Sequence, residues 1–151
     1  MIFTMQSLSR SLADYLAPAL PGVTFYDNPN QQGTKKPAMF LERTKAKIAR
    51  KLGGRFLRQL GLDLVCLVDY NLPDMEDQYT RVADVLDERL DTFPYSSAEG
   101  GEIARLRTYE RSWYIQDGDT LHYKFDLKIW VSAEEDAALM QSIQSYTQEV
   151  S

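Results

Sequence analysis

The sequence predicts an α+β fold: a mostly antiparallel sheet built from two hairpins and a short strand, flanked by three helices. Three observations predict it. Residues 121–131 alternate strictly, with Leu121, Tyr123, Phe125, Leu127, Ile129 and Val131 separated by His122, Lys124, Asp126 and Lys128, the period of a strand with one buried face. Asp117-Gly118 sits between that run and another extended run, Ile103 to Ile115, and Asp-Gly is a strong hairpin signal. Segments near both ends and in the middle instead repeat apolar residues at helical spacing.

In chain order, helix 1 is expected over about Thr4 to Ala17, where Met5, Leu8, Leu12, Tyr15 and Leu16 share a face. Pro18, Pro21 and Gly22 end it. A short strand, Val23 to Tyr26, precedes a polar loop, Asp27 to Thr34. Pro37 opens the next strand at Ala38-Met39-Phe40-Leu41, which runs on into basic residues and turns at Gly53-Gly54. The return strand, Arg55 to Tyr70, points Phe56, Leu60, Leu62, Leu64, Cys66, Val68 and Tyr70 one way, broken by Arg58. It points Arg55, Gln59, Asp63 and Asp69 the other way, partly into solvent. Helix competes with strand over Lys45 to Leu60, because Lys, Arg, Ala and Leu all favour helix.

Helix 2 is expected over about Asp74 to Thr92, with Met75, Tyr79, Val82, Ala83, Leu86, Leu90 and Phe93 as its apolar stripe and Pro94 beyond its end. Acids crowd its start, where the helix dipole favours negative charge. Ser96 to Gly101 reads as a flexible connector. After the second hairpin, Ser132 and Glu135 make a capping box for helix 3, whose apolar side is Ala138, Leu139, Ile143 and Tyr146. With 151 residues, 44% hydrophobic and 26% charged, the whole chain 1–151 is expected to be a single domain with its own core. No apolar run reaches the roughly 18 residues of a membrane helix. The N-terminus has neither a basic leader nor an apolar signal core, which predicts a cytoplasm-like compartment.

Catalytic chemistry has little to stand on. His122 and Cys66 are the lone histidine and the lone cysteine. One of each cannot supply the usual four ligands of a zinc site, and no disulfide can form within the chain. A Cys66–His122 dyad is conceivable, but Cys66 falls in the row expected to be buried, where thiols are inert. Gly53-Gly54 and Gly100-Gly101 lack the strand-to-helix setting of a phosphate loop. The expectation is no enzyme, no catalytic or metal-binding residue and no cofactor.

Charge is segregated. From Arg43 to Arg58 come Arg43, Lys45, Lys47, Arg50, Lys51, Arg55 and Arg58, with no acid between them. Helix 2 carries Asp74, Glu76, Asp77, Asp84, Asp87, Glu88 and Asp91 against Arg81 and Arg89. These can be two solvated surfaces. They can equally be complementary patches that join identical subunits head to tail, a heterologous contact that closes into a ring when the rotation permits. On that reading the subunit interface comprises Arg43, Lys45, Lys47, Arg50, Lys51 and Arg55 facing Asp84, Asp87, Glu88 and Asp91. A third reading puts the basic arm on nucleic-acid phosphates, although a net charge of −5 argues weakly against generic binding of that kind.

Four stretches in order carry a resemblance to a known family. They are Lys36-Pro37-Ala38-Met39-Phe40-Leu41; Gly54-Arg55-Phe56 leading through Leu62-Asp63-Leu64 to Tyr70-Asn71-Leu72-Pro73; Asp117-Gly118 before Leu121-His122-Tyr123; and the acidic start of helix 3 with Met140. Across nearly its full length the chain resembles the small tail terminator proteins of tailed phages, prophages and phage-derived contractile particles of Gram-positive bacteria. The resemblance implies a structural role without cofactor. It implies a ring, usually of six copies, that caps the head-proximal end of the tail tube, stops its growth and offers a docking surface. The implied partners are other copies of itself, the tail tube protein and a sheath or head–tail connector protein. DNA would at most pass through the ring, with no membrane involved. The implied location is the virion tail, assembled in the host bacterial cytoplasm. Another tail-completion, tail-tube or head-closure protein is the alternative, and a small ligand-binding or enzymatic domain a more distant one.

Overall fold

A computed structural model of the chain describes residues 3–26, 35–69, 71–97, 104–118 and 120–132. Helix 3, the Asp27–Thr34 loop, Tyr70 and the later part of the Ser96–Gly101 connector lie outside the described residues.

Helix α1 spans Met5–Leu16. It starts where Thr4, in extended backbone, accepts the Ser7 N–H on its hydroxyl at 3.1 Å, a side-chain cap worth about 1 kcal/mol. Its buried residues are Ser7, Leu8, Ser11, Leu12 and Leu16, the i, i+4 stripe that the apolar spacing predicts. Each fully buried leucine contributes roughly 1.5–3 kcal/mol. The short strand β1, Thr24–Phe25, then runs parallel to the start of β2.

Strands β2 (Ala38–Arg50) and β3 (Arg55–Leu67) are antiparallel neighbours, so the Lys45–Leu60 region is extended and not helical. Between them lies a 3-10 turn over Leu52–Gly54 in which Gly53 and Gly54 adopt φ of 77° and 71°. Glycine visits that left-handed region without a Cβ clash. β3 ends at Leu67 because β2 and β6 offer no partner beyond Ala38 and Thr120. Val68 beyond it is nevertheless buried.

Helix α2 spans Met75–Arg89, shorter than the sequence suggests. Thr92–Tyr95 forms an additional strand, β4, instead of the helix's last turn. Phe93, expected on the helical stripe, is buried from β4 together with Tyr95, while Thr92 and Pro94 alternate outward. Period two wins here because Pro94 cannot continue a helix, and an edge strand tolerates proline. Strand β5 spans Ala104–Gln116 and β6 spans Thr120–Ser132. Asp117 and Gly118 turn between them at φ of 55° and 78°, the two positive values that a type I′ turn needs.

The result is mixed α+β with one curled six-stranded sheet in the order β1-β2-β3-β6-β5-β4. Among the described residues there are two α-helices, the expected third lying outside them, and six strands where five were expected. Register shifts interrupt β2 between Arg43 and Lys45 and β5 between Tyr109 and Ser112. Both fall at the level of the Leu62–Phe125 pair of β3 and β6. Extra residues on both sides of one row bend and twist the strands there, which accounts for the curl.

One face of the sheet packs on both helices. The core joins Leu8, Leu12 and Leu16 of α1 and Val82, Ala83 and Leu86 of α2 to Leu60, Leu62, Leu64 and Cys66 of β3. Leu121, Tyr123, Phe125, Leu127 and Ile129 of β6 complete the sheet side of this layer. The other face carries the alternate residues of β3 and β6, none of which belongs to that cluster.

Candidate functional site

Cys66 and His122 sit on opposite faces of the sheet. Cys66 pairs with Leu121 in the core row, and His122 pairs with Val65 in the outward row. No dyad can form between them. Cys66 is fully buried, and burial pushes its thiol up to about 12, away from the nucleophilic thiolate.

His122 is outward in register, as its alternation predicts, but it is largely covered. Its Nδ1 lies 2.7 Å from Asp63 Oδ2, and the two side chains are 14% and 5% exposed. Tyr114 stacks on the imidazole at a centroid distance of 4.9 Å. Asp63, expected to reach partly into solvent, is buried instead. The reason is its place on the central strand β3, flanked by β2 and β6. Its Oδ1 has no hydrogen-bond partner. Sequence spacing could have signalled this pair only through one carboxylate interrupting the apolar run Leu62-Asp63-Leu64.

Among the described residues, no group of three or more His, Cys, Asp or Glu side chains could hold a metal ion. An apolar cleft of about 270 Å3 opens between the turn after α1 and the start of α2, lined by Leu20, Val23, Pro37, Val68, Leu72 and Val82 among others. Asp74, Gln78 and Arg81 line it as well, but Gln78 is committed to the Asp69 backbone and Asp74 to Gln78 and Arg81. No described helix is long and apolar enough to cross a membrane.

The predicted interface residues divide between places. Lys45, Lys47 and Arg55 belong to the outward row: Lys45 pairs with Gly61, Lys47 with Gln59, and Arg55 with Ser132. Lys45 also reaches Asp126 at 3.7 Å. Arg43 and Arg50 fall on the opposite parity, paired with Leu62 and Phe56. The Arg50 guanidinium lies 5.3 Å from the centre of the Phe56 ring. Lys51 sits exposed at the end of β2, where its N–H donates to the Arg55 carbonyl. The basic arm is thus a two-faced strand pair that projects beyond the helices, with Ile48 58% and Leu52 94% exposed.

Asp84 and Glu88 on α2 are exposed, as is Asp91 just beyond its end. Asp87 already has work inside the chain: its carboxylate accepts the Tyr123 hydroxyl at 2.7 Å, and its backbone carbonyl accepts from Arg111 at 2.9 Å. Burial first, then the Asp87 hydrogen bond, raises the Tyr123 phenol above its ordinary range. Asp87 therefore docks α2 onto β6. Gln78 does a similar job at the helix start, bonding the Asp69 N–H and carbonyl, both at 2.9 Å. Spacing alone predicted neither role. The connector is likewise tied down where it begins: Ser96 N–H donates to Ser11 Oγ at 3.1 Å, and Arg10 donates to the Ser97 carbonyl at 2.9 Å.

The described residues thus place a basic strand pair and an acidic helix, both exposed, on a layered α+β fold. Residues 7–138 match the family model for phage tail terminator protein. The chain belongs to that family of structural components of the phage virion. A solved chain from the virion of a native gene transfer agent particle is similar at 15% identity and a TM-score of 0.41, with 84% of this chain and 90% of that chain covered. No curated protein matches the sequence.

Proposed function

We propose that this protein is a tail terminator that assembles into a ring, of six copies, on the head-proximal end of a tail tube. The ring stops tube polymerisation and offers a docking surface to a sheath or head–tail connector protein. Family membership over residues 7–138 carries this reading. The location that follows is the virion tail, assembled in the host cytoplasm, with DNA only passing through.

The charge arrangement supports self-assembly in particular. Lys45, Lys47 and Arg55 on one side, and Asp84 and Glu88 on the other, are exposed. A contact between unlike patches on identical subunits is heterologous and propagates until it closes. Charge matching sets its register and its partner.

Negative-stain microscopy of the purified full chain, alone and mixed with tail tube protein, tests the reading directly. Rings of fixed symmetry, or capped tubes of limited length, are expected. A protein that stays monomeric and leaves tube length unchanged overturns it. Reversing Arg43, Lys45 and Lys47 to Glu is expected to impair assembly while leaving the monomer folded.

A further inference from the structure

The structure separates charge by layer as well as by segment. Helices α1 and α2 pack on one face of the sheet, so the exposed side of α2 and the outward sheet face look in opposite directions. The outward face carries Lys45, Lys47, Arg105, Arg107, Lys124 and Lys128, all exposed. Among its acids, Asp63 lies against His122 and Asp126 against Lys45, while Glu42 and Glu110 stay exposed, Glu110 lining the same surface as Lys45, Lys124 and Asp126.

Large aromatics stand among these cations. Trp130, Tyr114 and Tyr109 are 49%, 45% and 37% exposed. Each already has a cation over its ring: Arg55 at 4.6 Å, Lys124 at 5.4 Å and Lys128 at 4.5 Å. The long side chains are therefore laid flat on rings and partly ordered. Ordered side chains lose less entropy when a partner arrives, and Trp, Tyr and Arg are the residues enriched at interfaces, with lysines at their charged rims.

We infer that the outward sheet face is the seat for the acidic side of α2 from the next copy in the assembly. This rests on the ring reading above and makes it specific: the contact is face to back, with Lys124 and Lys128 opposite Asp84 and Glu88. Charge complementarity selects this occupant. The chain's net charge is −5, yet this face is basic, and the exposed side of α2 presents Asp84 and Glu88 one helical turn apart. The basic arm then extends an interface whose centre lies on β6 and β5.

A charge-swap experiment on the full chain tests it. One variant carries Lys124→Glu and Lys128→Glu; the other carries Asp84→Lys and Glu88→Lys. All four side chains are exposed, and circular dichroism checks that each variant remains folded. Each alone is expected to self-associate at least tenfold more weakly than wild type in sedimentation at low salt. An equimolar mixture is expected to recover assembly, because alternating subunits restore every opposite-charge contact. If both variants assemble like wild type while the Arg43, Lys45 and Lys47 reversal does not, the seat is elsewhere and the ring reading stands. Weakened variants that the mixture fails to rescue also overturn the face-to-back pairing. If wild type forms no assembly, alone or on tube protein, the ring reading falls and takes this inference with it. A labelled DNA duplex that binds wild type but not the Lys124→Glu, Lys128→Glu variant, with assembly unchanged, reassigns the face to nucleic acid.

Discussion

His122 Nδ1 lies 2.7 Å from Asp63 Oδ2 across the β3–β6 pair, on the face of the sheet away from the helices. Asp63 is 4% exposed as a residue, and its other oxygen has no partner. Removing one member of a buried ionic or hydrogen-bonded pair strands the other and costs more than the pair itself contributes. His122→Ala is expected to lower the unfolding free energy by about 3 kcal/mol. Replacing both residues by valine is expected to recover much of that loss. Urea denaturation of the two single variants and the double variant measures the coupling. Simple additivity would show that the contact is incidental.

Gly61 and Lys45 make a steric prediction. A Cβ at Gly61 would meet Lys45 Cγ at 2.5 Å and Thr44 Oγ1 at 2.8 Å. The lysine stem lies across the glycine on its way to Asp126. Gly61→Ala is expected to displace that stem and cost about 1–3 kcal/mol, the usual range for overpacking. Combining it with Lys45→Ala should recover part of the loss, because the nearest clashing atom is then gone. Thermal melts of the single and double variants decide it, and equal losses in both would place the clash on the Thr44 hydroxyl instead.

Much of this sheet was legible beforehand, and the exceptions have physical causes. Strict alternation marks β6 because one of its faces meets the helices and the other does not. The two glycine-containing turns were legible because positive φ restricts which residues can occupy them. β4 was hidden because Phe93 sits where it can continue either a helical stripe or a two-residue period; Pro94 rules out a longer helix, but only the distant pairing with Leu106 makes the segment a strand. The burial of Asp63 was hidden because alternation says which way a side chain points, not which neighbouring strands cover it. The basic run Arg43–Arg58 was visible as charge. That β2 and β3 divide it between two faces depends on a register shift near Thr44, for which the sequence has no glycine or proline marker.

Cys66 and pH form the third prediction. Burial raises the folded thiol to about 12 from an ordinary value of 9.0. The folded state therefore holds its proton after the unfolded chain has lost it. This contribution is fully present below pH 9 and is lost as pH rises toward 12. The expected fall in unfolding free energy is at most about 1.4 kcal/mol per pH unit from this one group. Tyr123 adds a similar loss beginning near pH 10, because its folded pKa is also raised. Cys66→Ala should flatten the part of the curve between pH 9 and 10, at the cost of a small cavity. The native thiol should also stay unreactive to a disulfide reagent at pH 8 until denaturant is added. Fast labelling of the folded protein would contradict its burial.

Leu52 separates stability from assembly. It is 94% exposed at the tip of the β2–β3 arm, with Ile48 58% exposed nearby. Neither residue belongs to the core cluster, so polar replacements there should change monomer stability by no more than about 0.5 kcal/mol. An isolated exposed leucine is ordinary, but an arm that extends past its own core gains burial only from a neighbour. On the ring reading, Leu52→Ser and Ile48→Ser together should leave the melting curve unchanged and weaken self-association several-fold. The weakening should persist at high salt, because lost apolar burial is not screened as charge is. The charge reversals on Lys124 and Lys128 should instead have their largest effect at low salt. Comparing sedimentation of the two variant sets at low and high salt separates the apolar tip from the basic face. A weakening of the Leu52 and Ile48 variant that disappears at high salt would mean that the arm acts through its lysines and arginines alone.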